Sequence, residues 1–170
     1  MATAKRTVMF HGNPLTLEGP AIKVGDSAPD CTLTTTELNE VKLSQLKGKK
    51  IIISVVPSLD TPVCDIQTKR FNQEAAKLSD SVVILTVSMD LPFAQKRWCQ
   101  TTNSTKVKTV SDYKDAAFGK AYGVLIKELH LLTRAIFIID ANGKVRYIQI
   151  VPEVTKEPDY DTALNALKKL

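Results

Sequence analysis

Residues 49–65 read Lys-Lys-Ile-Ile-Ile-Ser-Val-Val-Pro-Ser-Leu-Asp-Thr-Pro-Val-Cys-Asp. The run Lys49–Val56 is nearly continuous in β-branched residues, the pattern of a strand buried on both faces. Pro57 stops it. Thr61 then offers a helix N-cap, and Pro62 suits the first helical position, where no backbone donor is lost. Val63, Ile66, Phe71, Ala75 and Leu78 follow at helical spacing, which predicts a helix over 63–78. A strand feeding a helix through a tight loop is the unit of an α/β sheet. Ligand and reaction sites in such sheets favour the carboxyl ends of strands, where this loop lies.

Working outward, Val82–Ser88 reads as a second buried strand and residues 92–101 as a helix. Val107–Val110 is a short strand, and Ala116–Tyr122 a short helix ended by Gly123. Arg134–Ile139 and Lys144–Ile150 flank Asp140-Ala141-Asn142-Gly143, where Asn-Gly signals a hairpin. Tyr160–Leu170 closes the chain as a helix. Upstream, Cys31-Thr32-Leu33-Thr34 reads as a short strand. Two runs around His11-Gly12-Asn13-Pro14 predict an N-terminal β-hairpin. The whole pattern is α/β with one mixed sheet, in the strand and helix order of a thioredoxin-like fold with added elements. No repeat or linker divides it, so residues 1–170 are expected to form one domain.

Composition excludes several classes. The chain has 170 residues, 44% hydrophobic and 24% charged, enough to bury roughly 70% of its unfolded surface without disulfides or metal. Net charge is +5 and aromatics are only 6%. Beyond Lys47, Lys49 and Lys50 and the terminal Lys168 and Lys169, the charges are interleaved. This is a solvated mixed surface rather than the basic stripe that nucleic acid requires. No run approaches the about 18 apolar residues of a membrane span. Met1–Arg6 lacks the apolar core of a secretory leader, so a cytoplasmic setting is expected. His11 and His130 have no Cys, Asp or Glu at ligand spacing, which predicts no metal, and no haem or flavin motif appears.

Three cysteines remain: Cys31, Cys64 and Cys99. Cys64 falls in the first turn of the predicted helix. Free backbone N–H groups and the positive end of the helix dipole there favour an anion, hence a thiolate; Asp65 works weakly against it. Taken alone, Cys64 is equally readable as a small apolar residue packing a core helix. Cys99 on its own reads as a buried helix cysteine, and Cys31 as a small apolar strand residue. Arg134 on its own reads as a strand-end cation. It leads, however, into the buried run Ala135–Ile139, where an unpaired charge is costly.

Pro57, Thr61 and Cys64 form P-x3-T-x2-C, which resembles the peroxidatic-cysteine signature of the peroxiredoxins. Asp90-Leu91-Pro92-Phe93-Ala94-Gln95 followed by Arg97-Trp98-Cys99 resembles the bacterial thiol peroxidase branch of that family. Phe10–Pro14 and Glu157-Pro158-Asp159-Tyr160 echo it at the two ends. Pro62 departs from it, standing where the family most often has Gly, but is sterically compatible with a helix start. The resemblance implies a thioredoxin-like fold with a central mixed sheet, peroxide reduction without cofactor, and recycling by thioredoxin as an antioxidant homodimer. It implies that Cys64 is oxidised to a sulfenic acid. Thr61 and the Cys64 N–H would hold the peroxide, Pro57 would shield the sulfur, and Arg134 would partner the thiolate. Cys99 would be the resolving cysteine that forms an intramolecular disulfide with Cys64.

Two helices carry these cysteines, so ring closure is expected to rearrange residues 58–66 and 91–102. Phe93 and Trp98 are expected to pack the helix bearing Cys99, and Phe93 is a candidate for lining an apolar peroxide entrance. A thioredoxin-type thiol–disulfide oxidoreductase is the competing enzyme class. It wants Cys-x-x-Cys at the helix start, where positions 61 and 67 are Thr and Gln. A non-catalytic thioredoxin-like module would need neither Thr61 nor Arg134.

Overall fold

A computed structural model describes residues 5–170. Met1–Ala4, most of the segment read above for a leader, lie outside the described residues. The strands are β1 (Thr7–Phe10), β2 (Asn13–Glu18), β3 (Thr32–Thr35), β4 (Glu40–Lys42), β5 (Lys50–Val55), β6 (Val82–Ser88), β7 (Lys108–Ser111), β8 (Leu125–Ile126), β9 (Leu131–Leu132), β10 (Ala135–Ile139) and β11 (Val145–Ile150). The helices are α1 (Pro62–Ala75), α2 (Pro92–Thr102), α3 (Ala117–Ala121) and α4 (Tyr160–Lys168).

The central sheet is seven-stranded and mixed, in the order β11-β10-β5-β6-β7-β3-β4. Only β5–β6 and β6–β7 are parallel. The β-branched run of β5 alternates between two cores, as a doubly covered strand must. Ile51, Ile53 and Val55 face one core with Phe118, Tyr122 and Phe137. Ile52 faces the other with Phe71 of α1 and Leu164 and Leu167 of α4.

The N-terminal hairpin is present, but it does not join the central sheet. Together with β8 and β9 it builds a second, four-stranded sheet, β1-β2-β8-β9. The expectation of one sheet is thereby corrected. Strands of two residues carry no local signal and exist only through their partners.

The hairpin turns through His11 (φ 49°) and Gly12 (φ 79°), the left-handed pair of a tight two-residue turn. Glu153 grips that turn, accepting the His11 and Gly12 N–H groups at 3.1 Å each. Desolvation pushes its carboxyl up, but the bonds from Gly12, Thr155 and His11 outweigh this and hold it at about 2. The folded value lies below the ordinary one, so this grip is whole above about pH 4.5 and is lost as pH falls toward 2. An NMR titration of the His11 and Gly12 amides should show a midpoint near 2. A midpoint at the ordinary glutamate value would refute it.

Candidate active site

Pro57 is buried and ends the β5 segment; the loop that follows is tied down by Asp90. Ser58 Oγ and Leu59 N–H donate to the two Asp90 oxygens at 2.7 Å each, and Ser88 Oγ adds a third bond at 2.7 Å. The loop after β5 is thus held to the loop after β6. Thr61 stands in the N-cap position with extended backbone (φ −120°, ψ 148°), as the residue before a proline must. Its hydroxyl does not cap. It donates instead to Ser58 O at 3.0 Å, which leaves the oxygen's lone pairs free to accept. The first helical bond is Asp65 N–H to Thr61 O, and among the described residues the Cys64 N–H has no acceptor.

Cys64 is 0% exposed, enclosed by Val56, Leu59 and Trp98. Arg134, one residue before the Ala135–Val55 pair of the sheet, is 2% exposed. Its three nitrogens are all used: Nε to Val154 O at 2.9 Å, Nη1 to Gln67 Oε1 at 2.8 Å, and Nη2 to Cys64 Sγ at 3.3 Å. Among the described residues it has no carboxylate partner. Burying a guanidinium is costly unless it is paired, and among the described residues its side-chain partners are Gln67 and the Cys64 sulfur.

Gln67 is a buried neighbour of Arg134 to which the sequence reading gives no role. It is fully buried and spans from Arg134 to Ser54, donating Nε2 to Ser54 Oγ at 2.8 Å. The missed signal is its position three residues after Cys64, on the same helix face. That face is Cys64, Gln67, Thr68 and Phe71. Of the apolar stripe expected from the sequence, Phe71, Ala75 and Leu78 pack the core, whereas Ile66 is 49% exposed. The helix rests on polar groups at this end, so its buried side is polar too.

Cys99 lies on α2 but faces away from Cys64. Its Sγ sits 3.4 Å from Thr109 Oγ1 on β7 and lines a cavity of about 490 Å³ with Val41, Leu46, Leu85 and Val110. Trp98, the residue before it, lines a different cavity of about 480 Å³ beside the start of α1. Both thiols are free. Ser54, Thr86 and Thr109 are cross-strand neighbours on β5, β6 and β7. They form a buried row of hydroxyls that runs from beneath α1 to beneath α2.

Phe93 is not brought to the site. It is 66% exposed at the start of α2, lines neither of these two cavities and does not pack the helix as expected; Trp98 does. Cys31 is 8% exposed, within the main core. Burial first, then the nearby Asp112 and Asp30 charges, pushes its thiol up to about 12. Native protein treated with an alkylating agent at neutral pH should keep Cys31 unmodified while Cys99 reacts. Labelling of Cys31 at the rate of Cys99 would contradict this. Among the described residues no three His, Cys, Asp or Glu side chains gather as a metal-holding group.

The Redoxin family profile matches residues 23–164. The thiol peroxidase of Halalkalibacterium halodurans is 56% identical over 162 residues, 95% of this chain and 97% of that protein. The thiol peroxidase of Bacillus subtilis is 54% identical over 163 residues, 96% and 97% of the two chains. The crystal structure of a peroxiredoxin-like protein from Aquifex aeolicus superimposes with a TM-score of 0.91 at 48% identity, covering 96% of each chain. A thiol peroxidase from Chromobacterium violaceum, at 20% identity, shares the fold with a TM-score of 0.85 over 96% of this chain and 95% of that one. The chain belongs to the redoxin family, among its peroxiredoxin-type thiol peroxidases.

Proposed function

We propose that this chain, residues 1–170 acting as one unit, reduces hydrogen peroxide and organic hydroperoxides through Cys64, with Cys99 as the resolving thiol. The observation that carries this reading is the buried Arg134. Among the described residues it has no carboxylate partner, and its Nη2 is 3.3 Å from Cys64 Sγ. Fixed positive charge there favours the ionised sulfur, which is the nucleophile.

The Cys64 sulfur attacks the terminal peroxide oxygen and the O–O bond breaks. The leaving oxygen takes a proton as water or alcohol, and Cys64 becomes a sulfenic acid. Thr61 has committed its proton to Ser58 O, so it acts as an acceptor and holds the peroxide O–H. The unpaired Cys64 N–H donates to the same ligand, and Pro57 keeps bulk water from the sulfur. Cys99 then attacks the sulfenic sulfur, expelling water and forming the Cys64–Cys99 disulfide. Thioredoxin returns both to thiols, so no cofactor takes part. The setting is the cytoplasm, where such a reductant is maintained, and the active form is a homodimer, as the family suggests. Among the described residues no helix is long and apolar enough to cross a membrane.

One experiment tests the reading. One equivalent of hydrogen peroxide added to reduced protein should lower the intact mass by two hydrogens and yield a Cys64–Cys99 linked peptide. Cys99→Ser should instead gain one oxygen on Cys64 and lose turnover with thioredoxin. A disulfide to Cys31, or no thiol loss at all, would reject the assignment.

A further inference from the structure

Trp98 is the only tryptophan of the chain and precedes Cys99 on α2. Its ring packs on Val56, Leu59 and Cys64, and its Nε1–H donates to Asp65 Oδ1 at 2.9 Å. Asp65 in turn follows Cys64, and its Oδ2 pairs with Lys69 at 2.8 Å. The immediate neighbours of the two thiols are therefore bonded to each other, while Cys99 itself is turned onto Thr109. Consecutive helix residues point about 100° apart. Bringing Cys99 toward Cys64, to a Cα separation within about 7 Å, moves Trp98 with it and breaks the indole bond.

We infer that Asp65 and Trp98 are a positioning pair whose hydrogen bond is a latch. It holds α2 with Cys99 turned away and so sets the rate of ring closure. The inference rests on the roles given above to Cys64 and Cys99. The latch then divides the Cys64 sulfenic acid between two fates. In one, Cys64 S–OH and Cys99 S–H give the disulfide and water. In the other, a second peroxide passes its terminal oxygen to the sulfenic sulfur, giving a sulfinic acid and water or alcohol. A strong latch slows the first and leaves time for the second.

The test follows the two steps separately by rapid quenching and intact mass. Trp98→Phe keeps the ring and deletes the donor; Asp65→Ala deletes the acceptor. Losing a hydrogen bond to a charged group should speed disulfide formation about tenfold relative to sulfenic acid formation in each variant. The double variant should gain no more than either single, because both cut one bond. Asp65→Asn keeps an accepting oxygen and should fall between wild type and Asp65→Ala. At excess peroxide the sulfinic fraction should drop in parallel. Should Trp98→Phe not fold, the two Asp65 variants carry the same comparison. Unchanged or slower ring closure, or gains that multiply in the double variant, would overturn the latch. Absence of any oxygen adduct on Cys64 in the Cys99→Ser variant would instead overturn the role of Cys64.

Discussion

Cys64→Ser should end peroxide reduction outright while leaving the protein folded. A serine oxygen has no counterpart of the sulfenic acid, so the O–O bond cannot be cleaved by this route. Neither other cysteine can replace it. Cys99 sits against Thr109 and lines an open cavity with Lys96 and Lys108 among its walls, but without the buried guanidinium that Cys64 has. Cys31 lies in the core with its thiol pushed up to about 12. After treatment with peroxide, both remaining thiols should therefore titrate as intact. The serine hydroxyl can accept from Arg134 Nη2 in place of sulfur, so the buried polar atom stays paired. The buried guanidinium nonetheless loses its charge partner, so the stability cost should be about 3–5 kcal/mol. Peroxide consumption at the wild-type rate by the folded variant would remove Cys64 from the mechanism.

Arg134→Met should slow sulfenic acid formation on Cys64 by about 10²–10³-fold, the usual effect of deleting one preorganised donor at a site of developing charge. Met fills much of the same volume without charge. It leaves Val154 O and Gln67 Oε1 without their donors, at about 1–3 kcal/mol for each orphaned acceptor. Removing a buried charge offsets part of that loss. Arg134→Lys keeps the charge but not the fork of donors, and should recover only part of the rate. Stopped-flow reaction with peroxide, alongside thermal unfolding of each variant, separates the two effects. An unchanged rate in Arg134→Met would show that the 3.3 Å contact has no part in the chemistry.

Elements with strong local signals were legible. β6 occupies Val82–Ser88, the stretch read from its apolar run, and α1 begins at the Pro62 that the loop pattern marks. The short strands β4, β8 and β9 were not legible, since nothing in two or three residues distinguishes them before a partner is known. The first turns of α1 depart from the apolar count for a related reason. A periodic count places Ile66 inward, but the helix packs its first turns on Ser54 and Arg134 rather than on hydrocarbon. Thr61 was correctly placed at the N-cap, yet its hydroxyl went to Ser58 O. Backbone position is a local property, whereas the choice among nearby hydrogen-bond partners depends on the folded loop.

The sequence by itself determined where the Cys64 sulfur stands. A β-branched run stopped by Pro57, then Thr61 and Pro62, places Cys64 in the first turn of a helix through steric and capping effects that act within a few residues. Only the tertiary structure decided what surrounds that sulfur. Arg134 reaches it from 70 residues away, Gln67 and Ser54 hold the guanidinium, and Asp90 ties the two loops together. Tertiary packing also decided that Cys99 faces Thr109 rather than Cys64. Side-chain direction on a helix or strand is set by register and by the surface it packs against, and both are long-range quantities.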